Sequence, residues 1–184
     1  MADWYSNRTA TAVVVLVTLA SFTAHPALGH LPWAGSSGTD FVEATVNADN
    51  YRMRAAALAM KRSPSSDVRD FARELWGYSI EDTRRLKWVL TKEDPYVVLW
   101  TQVSPQYLFV LDELVPIRGD AFDQRFIAQQ AASLGDALAL AEGYARAGDD
   151  LDLKEFAARS VPEIKTQLDR ITAIRLQHQA LARR

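Results

Sequence analysis

Cysteine is absent from the 184 residues of this chain, and histidine occurs only three times. The first absence excludes disulfides, thiolate nucleophiles, iron–sulfur clusters and cysteine-ligated zinc. The histidines are His25 and His30, near the N-terminus, and His178, near the C-terminus. Because imidazole and thiolate are the ligands that soft and borderline divalent metals prefer, we expect no stoichiometric transition metal and no cofactor.

An excess of one charge sign is also missing. Lys and Arg number 21 against 23 Asp and Glu, which gives a formal net charge of −2. A protein that binds nucleic acid or an anionic membrane by electrostatics needs a basic excess. Phosphate-binding loops, dinucleotide fingerprints and Gly-x-Ser-x-Gly elbows do not occur in the sequence. We therefore predict neither a nucleic-acid-binding protein nor an enzyme.

Long hydrophobic runs are scarce, and the longest lies near the N-terminus. It begins at Ala12 and extends for about 13 residues, short of the roughly 20 that span a bilayer as a helix. Arg8 precedes the run, Pro26 follows it, and Ala27-Leu28-Gly29 offers the small residues of a cleavage site. These features predict a signal peptide over residues 1–29 and a periplasmic protein. An uncleaved anchor is the alternative.

Residues 30–38 have the composition of a linker, and residues 39–184 contain four long segments with helical spacing of apolar residues. We predict that these segments form an antiparallel four-helix bundle in an all-α domain. Residues that typically begin or end helices divide the segments: Thr39, Ser63-Pro64, Gly119-Asp120, Gly148, and Asp149 or Asp150.

The connection between the second and third long helices, Lys92 to Arg118, is much longer than a bundle turn requires. Ser104-Pro105 predicts a short extra helix from Pro105 to Leu114. The abundance of apolar residues leaves two interpretations open. The connection packs along the bundle as a crossover, or part of it stays exposed and docks on a partner. The candidate docking residues are Tyr96, Val98, Leu99 and Trp100.

Arg52 lies on the predicted inner stripe of the first helix. A buried charge without a partner is too costly to keep, so the guanidinium must pair with a carboxylate. Asp82, on the inner stripe of the second helix, is the predicted partner in a buried ion pair, with Glu163 as the next choice.

Several short stretches give the chain a family resemblance. It resembles the bacterial domain-of-unknown-function family 4142, a group of exported, ferritin-like helical bundles. The resemblance implies a ferritin-like fold. The matching stretches are Asp40-Phe41-Val42-Glu43-Ala44, Leu58-Ala59-Met60-Lys61, Val68-Arg69-Asp70-Phe71-Ala72-Arg73-Glu74-Leu75, Gly119-Asp120-Ala121-Phe122-Asp123 with Phe126, and Ser160-Val161-Pro162 before Gln167-Leu168.

The chain departs from this family where relatives carry ionisable side chains. Arg52 stands where the family usually has an acid, and Tyr78-Ser79 stands where it has an Asp-His pair. Leu134 and Gln167 replace two histidines. A ferritin-like di-iron site also uses Glu-x-x-His pairs, and this sequence has none. The metal or proton chemistry that the resemblance implies for relatives is therefore not carried over.

Three functional hypotheses follow. The first is a non-catalytic, exported accessory subunit or protein-interaction module whose partner is another envelope protein. A small auxiliary subunit of a membrane-bound periplasmic dehydrogenase is one example. The alternative is a ferritin-like metal-binding or redox protein that uses carboxylate ligands. The third is binding of a small ligand in the bundle core.

Overall fold

The computed structural model describes residues 37–181, which form five α-helices and no strand. The helices are α1 (Gly38–Arg62), α2 (Ser66–Leu90), α3 (Pro105–Asp112), α4 (Gly119–Ala147) and α5 (Leu151–Leu181). The all-α prediction, including the short extra helix, is confirmed for this range. The predicted signal peptide, residues 1–29, and residues 30–36 of the predicted linker lie outside it.

The four long helices pack on one another in a closed order. The two most extensive contacts join α1 with α2 and α4 with α5, which are neighbours in the chain. Smaller contacts join α1 with α4 and α2 with α5, and α3 packs on α1. This arrangement is compatible with the predicted four-helix bundle. In the part of the chain from 37 to 181, no helix is both long enough and apolar enough to cross a membrane.

The apolar side chains between the helices form two clusters. The first contains Phe71, Leu75 and Phe126. The second, called here the second core cluster, consists of Phe41, Val46, Leu86, Tyr144, Leu153, Phe156 and Ala157. The helical spacing explains which face is buried. On α2, six of the residues that the spacing predicts to face inward are buried: Val68, Phe71, Leu75, Ser79, Asp82 and Leu86.

Helix boundaries differ from the predictions by one to three residues. The structure corrects the predicted Ser63-Pro64 start of α2, because Ser65 caps this helix and its hydroxyl accepts from the Val68 N–H at 3.4 Å. Ser63 instead accepts from the Ser65 N–H at 3.2 Å. With three serines in Ser-Pro-Ser-Ser, composition alone does not select the cap. At α5, the Leu153 N–H donates to Asp150 Oδ1 at 2.7 Å, which confirms the predicted cap.

Gly148, which ends α4, has the ordinary backbone angle φ −61, so its need for glycine is spatial. A Cβ atom here would lie 2.5 Å from Cε1 of Tyr144. The Tyr144 ring is buried and stacks on Phe41 with 4.2 Å between ring centroids. A methyl group at position 148 would therefore collide with a ring that has little room to move.

We expect Gly148→Ala to lower the free energy of unfolding by about 1–3 kcal/mol, the usual cost of overpacking. Urea unfolding measures the change. Gly135→Ala is the matched control, because a Cβ atom there meets nothing within 4 Å. Alanine in mid-helix should leave stability equal or higher by up to about 1 kcal/mol. An unchanged unfolding midpoint for Gly148→Ala would contradict the steric explanation.

Candidate functional site

Polar and charged side chains from all four long helices meet inside the core. We call them the interior polar cluster, and they comprise Asp49 and Arg52 from α1, Asp82, Thr83 and Arg85 from α2, Ser133 from α4, and Ser160 and Glu163 from α5. The cluster holds three carboxylates and two guanidinium groups. Charge of this kind remains inside a protein only when it is paired and hydrogen-bonded.

Arg52 is 1% exposed and forms its ion pair within its own helix. Its Nη2 lies 2.6 Å from Oδ1 of Asp49, and its Nη1 donates to Ser133 Oγ at 3.4 Å. The second oxygen of Asp49 accepts from the Thr83 hydroxyl at 3.0 Å. Burial of Arg52 and its need for a carboxylate are as predicted, but the predicted partner is corrected from Asp82 to Asp49.

Asp82 instead pairs on its own helix with Arg85. The Arg85 Nη2 donates to Asp82 Oδ1 at 3.3 Å, and the Ser160 hydroxyl donates to the same oxygen at 3.2 Å. Arg85 also reaches α5, where its Nη1 donates to Glu163 Oε1 at 2.6 Å. Glu163, the second predicted partner of Arg52, therefore belongs to Arg85. These bonds connect α2 with α5 through the half-exposed end of the cluster.

Burial shifts the pKa values of the cluster. Desolvation, and then the nearby Asp49 charge, raises the pKa of Asp82 to about 7. Desolvation also raises the pKa of Asp49 against the opposing effect of Arg52. For Arg52, burial lowers the pKa, but the charge of Asp49 and its hydrogen bond raise the pKa by more than burial lowers it. The guanidinium therefore stays charged. Burial and the Asp82 charge raise the pKa of Tyr78, so its phenol stays neutral.

A cavity of about 20 Å³ lies beside this cluster and is lined by Arg52, Tyr78, Asp82 and Ser160 together with apolar side chains. That volume accommodates roughly one water molecule. Arg52 Nε and the Tyr78 hydroxyl have no hydrogen-bond partner among the described residues. Asp82 has a pKa suited to proton transfer near neutral pH, but the cavity beside it has no room for an organic substrate.

Nowhere within 37–181 do three or more His, Cys, Asp or Glu residues group so as to hold a metal ion.

The segment 97–104, called here the strap, follows α2 and runs irregularly to α3. Polar side chains of α1 bind it mainly through its main chain. Asn50 Nδ2 donates to the carbonyls of Trp100 and Gln102 at 3.0 and 3.2 Å, and Arg54 donates to the Thr101 carbonyl at 3.3 Å. The strap is therefore held on the outer face of α1 without a β-ladder.

The four candidate docking residues divide into two kinds. Tyr96 is 89% exposed and Val98 is 82% exposed. Leu99 and Trp100 are half-buried and pack against the second core cluster. The Trp100 Nε1–H also donates to Asn47 Oδ1 at 3.4 Å. Hence only Tyr96 and Val98 offer most of their surface to a partner, and the other two help to attach the strap.

Two charged members of the interior polar cluster, Asp49 and Arg85, were not predicted from the sequence. A signal for both exists, because Asp49–Arg52 and Asp82–Arg85 each have the i, i+3 spacing of a same-helix ion pair. That spacing was available in the sequence. The ion pairs along the helix follow from it, whereas the hydrogen bonds to Ser133 and Ser160 depend on how the helices pack.

Comparison with known families gives a match over most of the chain. The family model described as "Domain of unknown function (DUF4142)" matches residues 26–174. Among curated proteins and among solved structures, nothing matches this chain significantly. The matched range covers α1 to α4 and most of α5, so the resemblance drawn from the short motifs is confirmed. The chain belongs to the domain-of-unknown-function family DUF4142.

Proposed function

We propose that this chain is a non-catalytic interaction protein of the cell envelope, exported by its signal peptide and built as an antiparallel, ferritin-like four-helix bundle. The exposure of Tyr96 and Val98 beside an anchored strap carries the proposal. Aromatic residues are enriched in protein interfaces. A partner binding here pays little ordering entropy, because the main chain of the strap is already held in place.

The interior polar cluster supports a non-catalytic role. Its buried ion pair and its hydrogen bonds between helices are of the kind that fixes how helices pack. Asp82 is 3% exposed, and the adjoining cavity of about 20 Å³ admits no substrate. We assign the cluster a structural role, and Tyr96 and Val98 the binding role.

The proposed partner is another envelope protein. An accessory subunit fits the small size of the chain and its predicted export, and an auxiliary subunit of a membrane-bound periplasmic dehydrogenase is one form that such a role takes. This example rests on size and location and on no individual residue.

Affinity capture from the native envelope tests the role of the strap. We expect Tyr96→Ser with Val98→Ser to abolish capture of a partner that the wild-type protein retains, while the melting temperature stays within about 2 °C because both side chains are exposed. Leu176→Ser on α5, which removes another exposed aliphatic side chain, is the matched control and should retain the partner. Equal capture of the partner by the wild-type protein, the double variant and the control would contradict a docking role for Tyr96 and Val98.

A further inference from the structure

An open depression lies between the strap and α1, next to the candidate docking residues. Its volume is about 440 Å³, and its walls are formed by Glu43, Asn47, Trp100, Gln102, Val103, Ser104 and Pro105. Small-molecule sites usually enclose most of the ligand surface. A broad, open depression is better suited to a side chain presented by a larger partner.

Some polar atoms in these walls have no hydrogen-bond partner in the described part of the chain. Asn47 is 9% exposed, and its Oδ1 accepts from the Trp100 indole N–H at 3.4 Å. Its Nδ2 forms no hydrogen bond with any residue between 37 and 181. The Ser104 hydroxyl is buried without a partner in the same range, and Ser104 caps α3 without a side-chain hydrogen bond. The Asn47 amide is thus the donor in these walls that a ligand can use, whereas the Ser104 hydroxyl is covered by the protein itself.

The charges around the depression also restrict which ligand can bind there. Glu43 is exposed at the depression and forms no ion pair within the described part of the chain. Asp40 lies three residues earlier on α1, on the same side of the helix, and is likewise without an ion pair there. Among residues 37–181, no lysine or arginine lines the depression. Glu43 thus gives the lining a negative charge, which favours a cation, and the nearby Arg54 guanidinium is directed to the Thr101 carbonyl.

Combining these features, we infer that the depression binds an arginine side chain of the partner protein. The guanidinium would stack on the Trp100 indole, whose orientation the Asn47 hydrogen bond fixes, and would form paired hydrogen bonds with the Glu43 carboxylate. Arginine suits the site better than lysine because its planar fork both stacks and binds a carboxylate with two bonds. Asn47 Nδ2 is placed to donate to a main-chain carbonyl of the partner.

This inference deepens the proposed function and rests on it, since it names the chemistry of the partner at the strap. Its test needs no partner. N-acetyl-arginine amide is titrated into the 15N-labelled full-length protein, and the indole N–H signal of Trp100, assigned with Trp100→Phe, is followed by NMR. N-acetyl-citrulline amide, which has nearly the same shape without the charge, is the matched probe.

We expect the arginine probe to shift the Trp100 signal with saturation in the millimolar range, and the citrulline probe to bind about tenfold more weakly or not at all. Glu43→Gln should weaken the arginine probe about tenfold. Glu93→Gln removes the same charge from an exposed residue outside the depression and should leave binding unchanged.

Equal binding of the two probes, or no shift of the Trp100 signal at tens of millimolar, would overturn the arginine site. That result would leave the docking role of Tyr96 and Val98 intact, because partner capture measures it separately. The opposite result is also distinguishable. If the arginine probe binds in a way that depends on Glu43, but partner capture does not depend on Tyr96 and Val98, the arginine site is supported and the docking role of Tyr96 and Val98 is refuted.

Discussion

Replacing Arg52 with alanine is expected to lower the free energy of unfolding by about 3–5 kcal/mol, the usual cost of breaking a buried ion pair from one side. The guanidinium is 1% exposed, and its removal leaves the fully buried Asp49 without its cation. Ser133 also loses a donor. Urea unfolding at pH 7, monitored by circular dichroism, measures the loss.

Arg73→Ala is the matched control for this substitution. Arg73 pairs with Asp70 at 2.7 Å with the same i, i+3 spacing, but both side chains are more than half exposed. Exposed pairs contribute about 0–1 kcal/mol. The double variant Asp49→Leu with Arg52→Met should recover much of the lost stability, because apolar replacement of a buried pair is often neutral. A loss below about 1 kcal/mol for Arg52→Ala would contradict a buried pair.

The second large expected effect concerns pH: the folded protein should become more stable as the pH falls. Burial and the Asp49 charge raise the pKa of Asp82 from 3.8 to about 7, so the folded protein holds a proton that the unfolded chain releases. Stability should therefore increase as the pH falls from 8 to 5, by about 2–3 kcal/mol at 1.36 kcal/mol per pH unit for one proton. The raised pKa of Asp49 acts in the same direction.

Urea midpoints between pH 5 and pH 8 measure this dependence. Asp82→Asn is neutral at every pH and should remove the contribution of Asp82 to the slope, while keeping an acceptor for Ser160. Asp70→Asn, at an exposed carboxylate, should preserve the slope of the wild-type protein. Stability that falls steadily from pH 8 to pH 5 would show that Asp82 is already ionised within the folded core.

The helices were predictable because their apolar stripes are regular. Phe71 and Leu75 on α2, and Phe122 and Phe126 on α4, lie on one face of their helices at four-residue intervals, and all four are buried. Spacing of this kind depends only on the pitch of the helix. Helix starts were less predictable because Ser63 and Ser65 are equally good caps in sequence, and the backbone path between the helices decides between them.

The interior polar cluster and the strap illustrate what a linear pattern omits. Burial of Arg52 follows from its position on the stripe and its pair with Asp49 from the i, i+3 spacing, but its hydrogen bond to Ser133 depends on how α1 and α4 pack. Likewise, composition does not predict that Val98 is exposed whereas Trp100 is half-buried. That division arises because Asn47 and Asn50 on α1 bind the strap at particular atoms.

The way in which the strap is attached has a consequence for how this protein can change. Asn50 and Arg54 donate hydrogen bonds to main-chain carbonyl oxygens of the strap. Every residue type carries such a carbonyl at the same position of the main chain. The outward residues Tyr96 and Val98 can therefore be exchanged during evolution, or diversified in a display library, without loosening the attachment. On the proposed docking role, one or two substitutions at these positions would therefore be enough to change the partner while the helical scaffold stays the same.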